Sequence, residues 1–171
     1  MKQIFKISFL AVSVLLLSTT AFAATKTATM AVTTNIISAC NISVMPLDFG
    51  NYDPVGVNKT TALNGATTIT ALCVNELPAT ISLDEGLYKD TGSGAGTPLR
   101  RMQCTDIDGS YISYTLYQDS AHTQVWGAGT SAMAYTGSGG ADTMTVYGQI
   151  APGQATETGG FTDTVTVTIS Y

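Results

Sequence analysis

Few side chains in this sequence could do chemistry: one histidine, three cysteines and twelve carboxylates in 171 residues. A Ser-His-Asp triad would have to use His122, which lies in the polar run Gln118–Gln124, and no G-x-S-x-G elbow accompanies it. Neither a phosphate-binding loop nor a dinucleotide fingerprint is present. Asp106-Ile-Asp108-Gly109 begins like a calcium loop. It fails at its sixth position, Tyr111, where glycine is needed for the sharp turn, and at its twelfth, Tyr117, where a bidentate Glu is needed. A type I turn accounts for it better. Asp84 and Glu85, like Asp48 and Asp53, are near each other in sequence only and read as solvated acids. Asn41-Ile-Ser43 and Asn58-Lys-Thr60 match the glycosylation sequon, which matters only in a eukaryotic secretory pathway. With no catalytic constellation, the chain is expected not to be an enzyme and to need no cofactor.

The first residues say where the chain goes. Lys2 and Lys6 precede the apolar run Phe9–Leu17, and Ala21-Phe-Ala23 follows as a small-residue cleavage site. This is the pattern of a secretory signal peptide over Met1–Ala23, with an apolar run too short for a relaxed membrane span. The chain after it keeps five cations, Lys26, Lys59, Lys89, Arg100 and Arg101, against all twelve carboxylates. That acidic balance, with no basic cluster, argues against nucleic acid and anionic membranes as partners.

Export also bears on the cysteines, because an oxidising compartment favours a disulfide. Cys40, Cys73 and Cys104 allow three pairings, each leaving one thiol over. Cys40–Cys73 is the favoured pairing, with Cys104 a buried spectator or an intermolecular thiol. Zinc is disfavoured, since there is no C-x-x-C and His122 is the only histidine.

The elements that would position these residues are strands. Thr, Val, Ile and Tyr are frequent, and Gly and Asn punctuate them. The clearest is Phe161–Tyr171, where Phe161, Val165, Val167, Ile169 and Tyr171 share one face with Asp163 as its only polar member. Thr67–Val74, Ala79–Leu83, Tyr111–Tyr117 and Thr143–Ile150 are predicted strands too, and Tyr111–Tyr117, apolar on both faces, reads as central. Turns are expected at Asn64-Gly65, Gly92–Gly96, Asp108-Gly109, Gly137–Gly140 and Pro152-Gly153. Short strands at this spacing predict a one-domain sandwich or Greek-key barrel. Near the start, Thr25–Val32 alternates with Ala28, Met30 and Val32 on one face, and a strand Ile36–Val44 is expected to follow. Only Thr33-Thr34-Asn35 lies between, without Gly or Pro, so a tight hairpin is unfavourable and the first strand must pair elsewhere.

Several segments, in order, resemble the spore coat protein U domain family: Ser38-Ala-Cys-Asn-Ile-Ser43, Pro46-Leu-Asp-Phe-Gly-Asn-Tyr52, Ala71-Leu-Cys-Val74, Arg100-Arg-Met102, Tyr114-Thr-Leu-Tyr-Gln-Asp119, Val125-Trp-Gly127, Val146-Tyr-Gly-Gln-Ile150 and Phe161-Thr-Asp-Thr-Val-Thr-Val167. That family is similar to subunits of archaic, Csu-type chaperone–usher pili of Gram-negative bacteria. The resemblance implies an all-β, incomplete immunoglobulin-like sandwich that lacks its final strand and is completed by donor-strand complementation. It divides the chain into signal peptide 1–23, donor strand 24–34 and pilin domain 35–171. Ala28, Met30 and Val32 would be the donor plugs, and Ile37, Val165, Val167, Ile169 and Tyr171 would edge the acceptor groove. Implied partners are neighbouring pilin subunits, a periplasmic chaperone and an outer-membrane usher, with no nucleic acid and no small-molecule substrate. The implied product is a surface pilus for adhesion and biofilm formation, reached by export through the periplasm. Two other readings stand beside it: a tip adhesin or carbohydrate-binding module, for which Trp126 would be the sugar platform, and a self-complemented coat protein. Cys104 departs from the family's two-cysteine pattern and has no assigned role.

Overall fold

The computed structural model describes residues 24–171, so the predicted signal peptide lies outside the described residues. Residues 24–35, the described part of the first unit, contain no strand, and Met30 and Val32 are 85% and 83% exposed there. Alternation alone does not make a strand; a ladder partner and a face to bury do.

The second unit, 36–171, contains nine strands among the described residues. They are β1 (Cys40–Val44), β2 (Leu63–Cys73), β3 (Pro78–Leu83), β4 (Arg100–Cys104), β5 (Tyr111–Tyr117), β6 (Met133–Thr136), β7 (Ala141–Ile150), β8 (Phe161–Thr162) and β9 (Val167–Ser170). Six pair antiparallel in the order β1-β2-β7-β5-β4-β8, and three in the order β6-β3-β9. The predicted all-β class and the central place of Tyr111–Tyr117 match this arrangement; β4 and β6 are additions to it.

The core follows from period-2 burial. Ile69 and Ala71 of β2, Ile112 and Leu116 of β5, and Val146 and Ile150 of β7 meet Ile81 and Leu83 of β3. Fully burying each aliphatic side chain stabilises the fold by about 1.5–3 kcal/mol. Trp126 sits among them with no exposed surface, and its Nε1–H donates to the Ile81 carbonyl at 3.0 Å.

Three expectations are corrected. The strand predicted over Phe161–Tyr171 is two strands in different sheets: β8 pairs with β4, and β9 pairs with β3. Residues 163–166 cross between them, and their inward-outward alternation continues across the break. The strand predicted from Ile36 begins at Cys40, leaving Ile36 and Ile37 78% and 74% exposed. Its partner sets that limit: the ladder ends at Cys40 opposite Cys73, with one further bond from Val74 N–H to the Ala39 carbonyl, and β2 then enters a turn. Finally, Asn64-Gly65 is not a turn but lies inside β2, with Gly65 directly opposite Gly148 of β7.

That glycine pair has a packing reason. Leu47 and Phe49 lie over it, and a Cβ at Gly148 would meet Leu47 Cδ2 and Phe49 Cζ at 2.7 Å. Glycine inside a strand here makes room for a close approach from another segment. The approaching chain, Pro46-Leu-Asp-Phe-Gly50, is held in a turn by the Asp48 carboxylate, which accepts Gly50 N–H at 2.8 Å. Gly148→Ala is therefore expected to cost about 1–3 kcal/mol by urea denaturation. Gly140→Ala, whose nearest atom would be Ser138 Oγ at 3.6 Å, should change little.

Candidate functional site

The principal cavity in the second unit is an open, mainly apolar groove of about 560 Å³. One wall is the end of β1 and the segment after it, Val44 to Phe49. The other is the crossing chain from Phe161 to Val167. Leu83, Met102, Leu116 and Val146 from both sheets form the floor. β1 ends the six-stranded sheet and β9 ends the three-stranded one, so each has one side without a ladder partner among the described residues.

The expected edge residues divide. Val165 and Val167 line the groove. Ile169 stands opposite Ile81 and packs on the core, beyond the lining. Tyr171 follows β9 and is 59% exposed. Ile37 is outside both strand and groove, for the reason given above. Ala28, Met30 and Val32 lie in residues 24–35, which contain no strand.

Asp163 is the one charged residue of the groove lining. Its Oδ2 accepts the Tyr114 hydroxyl at 2.6 Å, and its Oδ1 accepts Leu87 N–H at 2.9 Å and Thr164 N–H at 2.8 Å. Tyr114 is itself buried, and burial together with the adjacent carboxylate holds its phenol protonated far above the ordinary tyrosine range. A second carboxylate ties the crossing chain from the other side. Asp84 Oδ1 accepts Thr166 N–H at 2.9 Å and Gly86 N–H at 3.0 Å, while Asp84 N–H donates to the Thr166 carbonyl. Burial pushes the Asp84 carboxyl up, but the hydrogen bonds from Gly86 and Thr166, with the Arg100 charge, outweigh it and hold its pKa below the ordinary value.

Arg100 was legible only as a cation and part of a motif, yet it is 1% exposed. Its guanidinium donates to the carbonyls of Leu83, Asp84 and Trp126. It thereby satisfies backbone acceptors where β3 ends and Trp126 enters the core. Burial pushes its pKa down, opposed by the surrounding acidic groups.

Cys40 and Cys73, directly opposite in the β1–β2 ladder, are joined as a disulfide, and Cys104 is a free, buried thiol. His122 lies edge-on between Tyr117 and Tyr147, with ring centroids 5.1 and 6.3 Å away. Asp119 engages Thr123 and Gln124. The buried position of Trp126 removes the sugar-platform reading.

Two outcomes test these contacts. Closing a loop of 33 residues, the disulfide should contribute about 3.5–4 kcal/mol on the chain-entropy model; paired Cys→Ala replacement, followed by urea denaturation, measures it. Folding lowers the Asp84 pKa, so its contribution is complete above about pH 4 and is lost as pH falls through the folded value. Asp84→Ala should reduce stability by about 0.5–1.5 kcal/mol at neutral pH, the carboxylate being open to solvent. The gap to the unaltered chain should narrow on acidification.

Comparison with known proteins agrees with this architecture. The Spore Coat Protein U domain profile matches residues 26–168. "Protein U" of Myxococcus xanthus is 37% identical over 157 residues, covering 87% of each chain. Among solved structures, a chain of the CsuC–CsuE chaperone–tip adhesion subunit pre-assembly complex, from the archaic chaperone-usher Csu pili of Acinetobacter baumannii, matches with a TM-score of 0.53 at 17% identity. That match covers 80% of this chain and 40% of the other, and it shows a shared fold. With the profile matching most of its length, the chain belongs to the Spore Coat Protein U domain family.

Proposed function

We propose that this protein is a structural subunit of a surface fibre, exported to the periplasm by Met1–Ala23 and polymerised by strand donation between copies. The observation that carries this reading is a pair of unmet needs. The second unit has an apolar groove flanked by two sheet ends without ladder partners among the described residues. Residues 24–35 are an alternating, exposed segment without a strand. Strand addition answers both: main-chain bonds supply affinity and alternate side chains supply fit. Residues 24–34 act as donor, with Ala28, Met30 and Val32 as plugs, and 35–171 form the receiving domain.

An unfilled groove of this kind is an aggregation hazard, which gives a periplasmic chaperone its role as a first occupant and an outer-membrane usher its role as the site of exchange. Support for these partners comes from the fold shared with a chain of a chaperone–subunit complex. The assembled fibre serves adhesion and biofilm formation, and its chemistry is binding rather than catalysis. A second reading, a self-complemented coat protein, is favoured by the family's description and by the relative named Protein U.

Removing Ala24–Thr33 tests the choice. The truncated chain is expected to form a complex with the chaperone but no detergent-resistant ladder in periplasmic extracts. A ladder from the truncated chain would refute strand donation. A single monomer band from the intact chain, with and without chaperone, would favour the coat-protein reading.

A further inference from the structure

We propose that Asp163 and Tyr114 form a polar register stop in the groove, which reads the hydroxyl of Thr34 from a neighbouring copy and fixes the register of the incoming strand against β9. This inference rests on the strand-donation reading above and adds the register of the donor.

The groove is not uniform. Its crossing wall presents inward positions at 163, 165, 167 and 169. Asp163 is polar and bonded to Tyr114; Val165 and Val167 line the open apolar part; Ile169 lies beyond the lining, packed against the core. The wall thus runs from polar, through open and apolar, to packed. The alternate positions of the N-terminal segment are Ala28, Met30, Val32 and Thr34. They run from small, through large and apolar, to polar.

Only one alignment matches the two gradients. It places Thr34 by Asp163, Val32 by Val165, Met30 by Val167 and Ala28 by Ile169. The strands are then antiparallel, the slightly more stable arrangement. A shift of two residues in one direction sets Val32 against the carboxylate; in the other it sets Thr34 among valines. A shift of one turns the apolar face to solvent. A parallel strand that keeps Met30 and Val32 by Val165 and Val167 puts Ala28 by the carboxylate and the Thr34 hydroxyl by Ile169.

Asp163 is built to accept one more donor. Its Oδ1 already takes two N–H groups, whereas its Oδ2 takes only the Tyr114 hydroxyl. Tyr114 and Leu87 hold the carboxylate in place, so a donor that reaches it meets a fixed acceptor.

The test uses the full chain, scored first as an unboiled ladder, which reports strand donation itself. Directly opposite residues lie within disulfide reach, whereas diagonal neighbours do not. The pair Val32→Cys with Val165→Cys is expected to give a covalent ladder that survives boiling without reductant, and Ala28→Cys with Val165→Cys is not. Covalent ladders from the second pair, or unboiled ladders in which the first pair stays uncrosslinked, would overturn the register while leaving strand donation standing. Absence of any unboiled ladder from the unaltered chain would overturn both. Thr34→Val should speed loss of the ladder at fixed temperature by about tenfold, the size of one hydrogen bond to a charged group. Thr34→Ser should restore it. Equal persistence of all three ladders would remove Asp163 as the stop.

Discussion

A strand at a sheet end has backbone N–H and carbonyl groups without a ladder partner, and among the described residues two such strands, β1 and β9, come together beside one groove. The last two strands belong to different sheets, because the chain leaves the β4 edge at Thr162 and joins β3 at Val167. That transfer leaves β9 at one sheet end and β1 at another, on either side of an apolar trough. Either edge alone is ordinary for a sandwich. Together, over a floor of Leu83, Leu116 and Val146, they flank one open, mainly apolar trough.

The transfer needs polar support, and that support explains the acidic and basic residues inside a chain otherwise poor in charge. Asp84 and Asp163 hold the crossing segment by its amides, Tyr114 fixes Asp163, and Arg100 collects three carbonyls at the end of β3 and beside Trp126. Arg100 is buried, Asp163 and Tyr114 bond each other, and the remaining partners of all four are backbone atoms, which is the pattern of a structural joint.

The sequence carried much of this and missed it where contacts are remote. Tyr111–Tyr117 was legible because its own composition decides its place. Cys40 and Cys73 were legible as a pair because both lie on predicted strands. Phe161–Tyr171 was read as a single strand because period 2 persists through residues that change sheets, and periodicity reports facing, not partner. Ile36 and Ile37 have high strand propensity, yet no ladder remains for them past Cys73. Gly65 looked like a turn after Asn64; its real cause, Leu47 and Phe49 on the far side, is some eighteen residues upstream in the chain and invisible to local pattern. Arg100 carried no sign of burial, because its partners are carbonyls of three other residues.

The disulfide has a mechanical meaning as well as a thermodynamic one. β1 is short and lies at a sheet end, the arrangement in which hydrogen bonds can be peeled away one at a time. Its bridge to β2 sits at Cys40, the residue where β1 begins. Tension applied through the chain before Cys40 therefore enters β2 through sulfur and bypasses the β1 ladder altogether. β2 is an eleven-residue strand flanked on both sides, and extracting it means shearing many bonds at once rather than unzipping them. In a fibre joined through residues 24–34, a pull on the chain before Cys40 would not unzip β1.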